Sequence, residues 1–423
     1  MSTNHTGRVR ATWIGVFVGL LLGSAVLAGC GTTSRQAGSG TSHHPTAPSS
    51  TGSSGQTTTS AGGTPTARAS GSAGEAPYTG PTLTSVDSVS CADATHCWAS
   101  AAAGTSGDES AILVTSNGGS SWTVQQMFPG VSGISLDCSS DSHCLAAGGG
   151  TGSGSAPLLL STTDGGRTWS TQTAPGGNDV LDAMSCANAL DCWLVGELSQ
   201  SGADVIWGTT DGGGTWTIQN RAAITVSMGV GFGLSCPTAA NCVVGGVGAL
   251  TTSDGGTSWQ KHSVPGELNV IDCPSVSDCV AEGDVTSADP SNESTTLATS
   301  NDGGSTWTDV GVVGGDVGVL GGLSCPTTSD CVAVGSGYTP TTTSGEPSWG
   351  AVETTTDGGS TWSGTRLAQA SNLFAVSCAA GTSDCLAVGY FSGAGAGPGA
   401  SGSTGIILRS VDDGSTWSPV PLP

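Results

Sequence analysis

Lysine is almost missing: Lys261 is the only one in 423 residues. Lys and Arg together number 9, against 32 Asp and Glu, and no acid precedes Glu75. Phosphate backbones are held by clustered Lys and Arg, so nucleic acid is excluded as a partner. The acidic part of the chain is also repelled by anionic lipid headgroups. Cations and neutral ligands remain open. Charged residues make up only 10%. That excludes a helical bundle, which needs Glu and Lys in bulk beside Ala and Leu. What is abundant instead is Gly, with 70 residues, among Ser, Thr and Val. Such a mixture makes short strands and many turns.

Residues 1–10 carry Arg8 and Arg10 and no acid, and residues 11–29 form an apolar run ending in Leu27-Ala28-Gly29-Cys30. This end resembles the bacterial lipobox. The resemblance implies a lipoprotein signal peptide over 1–29, cleavage before Cys30 and a lipid on its sulfur. The alternative is an uncleaved membrane span, since 19 apolar residues nearly cross a bilayer. In both cases the rest of the chain leaves the cytoplasm. Residues 30–80 are Ser, Thr, Gly, Ala and Pro with little apolar bulk, too little to order a chain. They are expected to be a flexible tether with a reach of roughly 40 Å. His43 and His44 lie in it with no third ligand nearby and are expected to be solvated.

Two phrases then recur seven times. The first has the form Ser/Thr-x-Asp-x-Gly-x-Thr/Ser-Trp and occupies Thr115–Trp122, Thr162–Trp169, Thr209–Trp216, Thr252–Trp259, Ser300–Trp307, Thr355–Trp362 and Ser410–Trp417. The first copy has Asn117 for Asp, and the last has Asp413 where most have Gly. Asp in a tight turn accepts hydrogen bonds from following N–H groups, and Gly supplies positive φ. The Trp opens a strand and buries a large surface. Asp164, Asp211, Asp254, Asp302, Asp357 and Asp412 are therefore read as structural. The phrase resembles the Asp box, or BNR repeat, of sialidase-like propellers over residues ~81–423.

The second phrase is a cysteine pair. Cys91/Cys97, Cys138/Cys144, Cys186/Cys192, Cys236/Cys242, Cys273/Cys279 and Cys325/Cys331 each enclose five residues, and Cys378/Cys385 encloses six. Fifteen cysteines are thus seven pairs plus Cys30, the residue a lipobox requires. In an oxidising compartment such pairs read as disulfides. Zinc is the rival, but its motifs use closer spacing or His partners. No metal and no cofactor is expected.

Apolar runs follow each second Cys and precede each turn phrase, as in Cys331-Val-Ala-Val-Gly335 and Ala111-Ile-Leu-Val-Thr115. Each unit of about 49 residues therefore holds four strands, called A to D, with A ending at the first Cys and D starting at the Trp. Seven such meanders predict an all-β, seven-bladed propeller over 81–423. No strand is left to exchange between first and last blades, so closure by face-to-face packing is expected.

In a meander the A–B and C–D turns share one end, so cysteine hairpins and Asp turns form one repetitive face. The B–C and D–A connections form the other. From second Cys to turn Asp or Asn the steps are 20, 20, 19, 12, 23, 26 and 27 residues. Function concentrates on variable loops over a rigid frame. The longest connections, Gly283–Leu297, Gly335–Val352 and Gly389–Ile406, carry Asp284, Asp289, Glu293, Tyr338, Glu346, Trp349, Tyr390 and Phe391. Arg221 and Arg366 follow strand D and reach the same face. These ten residues are the candidate binding site; solvated Gly-rich loops with incidental aromatics are the alternative. Asp284, Asp289, Asn292 and Glu293 match no Ca²⁺ loop spacing and are read as solvated.

The sialidase resemblance implies three arginines gripping a carboxylate, a Tyr/Glu pair and an acid Asp. The repeat region has four arginines, and Arg167 and Arg409 belong to the turn face. Two remain, so that chemistry is not expected. His96 and His143 sit in cysteine hairpins and His262 on strand D, which leaves no His-centred nucleophile. Another glycoside hydrolase needs only two carboxylates, and Asp284, Glu293 and Glu346 keep that alternative open. The repeat also resembles the photosystem II stability/assembly factor family, which implies protein binding, though the arginine-rich patches of that family are absent here. The expected role is an envelope propeller binding a protein or glycan, held to the cell membrane through Cys30, on its extracytoplasmic side.

Overall fold

The computed structural model describes residues 78–104, 107–150, 157–175, 180–198, 203–220, 233–264, 266–284, 295–312, 319–337, 349–392 and 403–423. The signal peptide, Cys30, the tether, Arg221, Asp289, Asn292, Glu293, Tyr338 and Glu346 lie outside the described residues, as does the side chain of Asp284.

Seven four-stranded antiparallel sheets follow one another along the chain. Blade 1 is β1 (Leu83–Cys91), β2 (Cys97–Ala103), β3 (Glu109–Thr115) and β4 (Thr123–Pro129). Blade 2 is β5 (Val131–Cys138), β6 (Cys144–Gly150), β7 (Leu158–Thr162) and β8 (Ser170–Thr171). Blade 3 is β9 (Val180–Cys186), β10 (Cys192–Leu198), β11 (Ala203–Thr209) and β12 (Thr217–Asn220). Blade 4 is β13 (Leu234–Ser235), β14 (Cys242–Gly246), β15 (Gly248–Thr252) and β16 (Gln260–His262). Blade 5 is β17 (Val270–Asp272), β18 (Cys279–Asp284), β19 (Thr295–Ser300) and β20 (Thr308–Val312). Blade 6 is β21 (Val319–Ser324), β22 (Cys331–Gly337), β23 (Trp349–Thr355) and β24 (Ser363–Leu367). Blade 7 is β25 (Asn372–Cys378), β26 (Cys385–Phe391), β27 (Thr404–Ser410) and β28 (Ser418–Val420). The first strand of each blade touches the first strands of its two neighbours, and β25 touches β1, so these strands form the inner ring.

All seven cysteine pairs are disulfides, bridging Cys91–Cys97, Cys138–Cys144, Cys186–Cys192, Cys236–Cys242, Cys273–Cys279, Cys325–Cys331 and Cys378–Cys385. Each turn is tied to the hairpin of its own blade. The N–H groups of Gly118, Gly165, Gly212, Gly255, Gly303 and Gly358 donate to hairpin carbonyls, and Asp413 N–H does so in blade 7. Hairpins and turns therefore share one face, as expected. The six glycines have φ of 65–72°, and Asp413 follows at 57°. Asp413 is the one non-Gly residue with positive φ among those described. Its carboxyl is pushed up by burial and by the charges of Asp330 and Asp412.

A blade has no core of its own. Apolar side chains on its two faces pack against the blades before and after it, giving seven junction clusters. The closing junction is made like the others. Leu386, Val388 and Ile407 of blade 7 meet Leu83, Val86 and Leu113 of blade 1, with no strand exchanged. Arg409 adds a hydrogen bond to the Gly118 carbonyl at 2.6 Å.

A second ring of contacts runs inside the first. The residue before the first Cys of each blade accepts a hydrogen bond from the N–H of the first Cys of the next blade. Ser90 accepts from Cys138, Asp137 from Cys186, Ser185 from Cys236, and Ser235 from Cys273. Asp272 accepts from Cys325, Ser324 from Cys378, and Ser377 from Cys91, which completes the circle. Each bond contributes about 1 kcal/mol net.

The structure moves several boundaries. The fourth strands begin one residue after the turn Trp. The second strands run past the glycines read as their ends, so Tyr390 and Phe391 lie in β26 and Asp284 ends β18. Trp349 opens β23, and Arg366 lies within β24 instead of beyond it.

Ser377→Ala leaves the Cys91 N–H without its acceptor at the closing junction. The expected loss is about 1–3 kcal/mol in denaturant unfolding under oxidising conditions, and Ser377→Asp, which keeps an acceptor, retains most of it. Asp413→Gly relieves a left-handed backbone and two like-charge contacts. A gain of about 1 kcal/mol is expected in the same measurement.

Candidate functional site

The Asp, Asn, Ser and Thr side chains of the turn face bond within their own turns. In each copy the leading Ser or Thr hydroxyl donates to the turn Asp or Asn and accepts N–H groups from within the turn, as Thr162 does with Asp164 and Gly166. The Asp then accepts from the hydroxyl and N–H four residues on, as Asp357 does from Thr361. These hydroxyls and N–H groups hold Asp254, Asp302, Asp357 and Asp412 below the usual carboxylate range. In Asp211 the Thr215 N–H leads the same effect. Asn117 substitutes by reversing one bond: its amide donates to Ser121 Oγ. The turn aspartates thus have their lone pairs spent locally and act as scaffold.

The inner ring holds acids of the opposite kind. Burial pushes Asp137 up to about 6, against the Cys186 N–H and assisted by the charge of Asp272. Asp272 rises to about 6 by burial, against the N–H groups of Cys325 and Cys273. The two lie on the inner strands of blades 2 and 5. Asp87 on β1 rises to about 6 by burial, opposed by the Ser85 hydroxyl. Asp182 on β9 rises to about 6 by burial and by the charges of Glu197 and Asp204. The position before each first Cys is Ser or Asp in all seven repeats, a signal present in the sequence but not used to find these residues.

At the opposite end, the structure brings two of the described candidates, Trp349 and Arg366, together. The Arg366 guanidinium lies over the Trp349 ring, 4.2 Å from its centroid, a cation–π arrangement. Phe391 is 45% exposed at the end of β26, and Val319 is 43% exposed at the start of β21. Tyr390 is not available there. It is 2% exposed and packs on Phe374 at 5.5 Å between ring centroids. Sequence reasoning missed Val319 and Phe374, which carry no motif and become neighbours of the site only through the register of β21 and β25. Arg409 and Arg167 stay on the turn face, bound to Asp384 and to the Asp164 carbonyl. His262 bonds Thr251 within blade 4. Among the described residues no three His, Cys, Asp or Glu side chains converge on a metal-sized site.

No family model matches the chain, and no curated protein matches it. Among solved structures it is similar to YCF48 bound to a D1 peptide, with 18% identity and a TM-score of 0.51 over 79% of this chain and 95% of that one. YCF48 from Cyanidioschyzon merolae aligns at 17% identity and a TM-score of 0.48, over 74% of this chain and 94% of that one. An ulvan lyase of polysaccharide lyase family PL25 aligns at 10% identity and a TM-score of 0.49, over 81% and 96%. The first of these similarities establishes a shared propeller fold.

The ring acids set a pH dependence. Asp137 and Asp272 have folded-state values raised from 3.8 to about 6. The folded state therefore binds their protons more tightly, and the stability this contributes is lost as pH rises through about 6. The melting temperature is expected to be higher near pH 5 than near pH 8. The double substitution Asp137→Ser, Asp272→Ser keeps both acceptors and should flatten that slope in a pH series of thermal melts. A slope unchanged in the double variant contradicts the assignment.

Proposed function

We propose that this protein is a binding or assembly propeller of the cell envelope, of the Asp-box type, which engages a protein or glycan through the face opposite its disulfides. In this reading residues 1–29 are removed, a lipid on Cys30 anchors the chain to the membrane, and residues 30–80 tether the propeller on the extracytoplasmic side. The observation that carries the reading is the contrast between the two faces. On the turn face the Asp, Ser and Thr side chains bond one another, and the repeat keeps one length and departs from its pattern chiefly at Asn117 and Asp413. At the other end Arg366 lies over the Trp349 ring on blade 6, and Val319 on blade 6 and Phe391 on blade 7 are exposed. Aromatic and Arg side chains are the groups that most often dominate recognition.

YCF48, a propeller of the same fold, is seen with a peptide bound, which supports a protein partner. The acidic balance of 32 to 9 favours a partner that is neutral or basic where it touches the propeller. Three of the raised acids are poorly placed for hydrolysis. Asp137 and Asp272 are each held by a backbone N–H, and Glu353 is sealed in a junction.

Surface crosslinking on intact cells, followed by recovery with Trp349→Ala and Phe391→Ala, tests the proposal. Recovery of the partner is expected to fall about tenfold or more, as for loss of a recognition anchor. Undiminished recovery with both variants and with the three long connections trimmed rejects it, and turnover of any member of a glycan panel replaces it with a hydrolase.

A further inference from the structure

Glu353 occupies a position that is apolar in every other blade. Four residues before the turn Asp or Asn stand Leu113, Leu160, Trp207, Leu250, Ala298 and Leu408. Glu353 is as buried as they are, at 1% exposure. Ala333 lies opposite it on β22 and Gly364 opposite it on β24. Ala333 packs against Val280 and Leu297 of blade 5, so Glu353 points into the junction between blades 5 and 6. Neither of its carboxyl oxygens has a hydrogen-bond partner. Gly364 supplies the room, since a Cβ there would collide with Glu353 Oε1.

The charged groups that face this junction are few among the described residues. Arg366 lies on the same side of β24. From blade 5 come Glu282, opposite Leu297, and Asp272, bonded to Cys325. Asp309 on β20 pairs with Ala298, which packs toward blade 4. Strands β19, β21 and β22 bring no charge. Arg366 is thus the one cation on this side of the sheet. It sits opposite Ala351, diagonal to Glu353 in one direction and beside Trp349 in the other. Diagonal neighbours are roughly 7–8 Å apart, within reach of a long side chain.

Arg366 is therefore within reach of both the Trp349 ring and the Glu353 carboxyl. We propose that it is a latch: it covers the Trp349 ring while Glu353 is protonated, and turns along Gly364 to the Glu353 carboxylate once that group ionises, which bares the ring for a ligand. The inference rests on the reading of Trp349 as part of the binding face. An ionised carboxylate buried without a partner is strongly unfavourable, whereas the same group beside a guanidinium is not. Burial pushes Glu353 up to about 7, which sets the change near neutrality. The direction follows: the ring is covered on the acid side and bared on the alkaline side. By linkage, a ligand stacking on Trp349 favours ionisation of Glu353.

A ligand-free NMR titration of the full chain from about pH 5 to about pH 9 tests the latch. The probes are the Trp349 indole ¹⁵N–H signal, assigned with Trp349→Phe, and the Glu353 carboxyl ¹³C signal, assigned with Glu353→Gln. Both signals are expected to move with one midpoint near neutrality. The Trp349 movement should vanish in Glu353→Gln and in Glu353→Leu, which restores the residue of other blades and guards against misfolding of the first variant. A Trp349 signal that stays still while Glu353 titrates overturns the latch. So does a Glu353 that never ionises, or a Trp349 movement that survives both variants. Because no ligand is present, such a failure leaves the binding proposal standing. A working titration with no partner recovered at the surface has the opposite meaning.

Discussion

Burial in this protein exists only between blades. A four-stranded sheet with two apolar faces cannot hide either one alone, so each blade depends on two neighbours. Leu113, Leu160 and Leu408 are each buried against the blade before their own. The constraint that follows is closure: an open ring would leave one face of blade 1 and one of blade 7 in water. No exchanged strand ties those blades together. The closing junction relies instead on the same apolar contact as the other six, with the Ser377–Cys91 and Arg409–Gly118 bonds added. The disulfides cannot substitute for it, because each joins neighbouring strands of one blade and constrains only its own hairpin.

Acid placement follows from the same frame. With 9 cations for 32 carboxylates, most acids cannot be neutralised by ion pairs such as His96–Asp93 and Arg409–Asp384. The chain serves its acids with N–H groups and hydroxyls instead, which is a physical use for its wealth of Ser, Thr and Gly. On the exposed turns those donors lower the carboxylate values. In the inner ring the N–H groups that face each acid are outweighed by burial, and Asp137 and Asp272 rise. One residue type thus has two behaviours, separated by how many donors face it and how much water remains.

Much of this was legible in the residues. Seven recurring cysteine pairs, six of them at one spacing, and seven turn phrases pointed to the blade number, the disulfides and the scaffold role of the turn aspartates. The strand ends were misread for a definite reason. Gly335 and Gly389 look like terminators, but a Cβ at either would strike the backbone of the first strand, at Val319 and Asn372. They mark close approach beside a bulge, and pairing continues beyond them to Gly337 and Phe391. Tyr390 therefore faces the interior, where the sequence suggested a loop. The contact between Trp349 and Arg366 needs the register of β23 and β24, which no local pattern contains. The ring acceptors, Ser90 through Ser377, were visible as a recurring Ser or Asp, yet their role depends on a partner one blade away.

In a chain built by repetition, departures from the repeat carry the information that the repeat cannot. Asn117 and Asp413 depart within a turn that still forms, by reversing one hydrogen bond and by accepting a left-handed backbone. They change little beyond their own blades. Glu353 departs differently: it puts an ionisable group where six other blades put hydrocarbon, and Gly364 leaves space for it rather than a donor. That arrangement would be a defect in a purely structural element, since buried Leu, Trp or Ala fills this position in the six other blades. It lies on the same side of the same sheet as Trp349 and Arg366, on the blade whose second-to-third connection is among the longest. A loss of apolar packing, a half-buried aromatic ring and the one nearby cation among the described residues therefore coincide in blade 6. Tolerance of the loss is explained by the ring itself, because six intact junctions hold the seventh in place while its side chains remain free to rearrange.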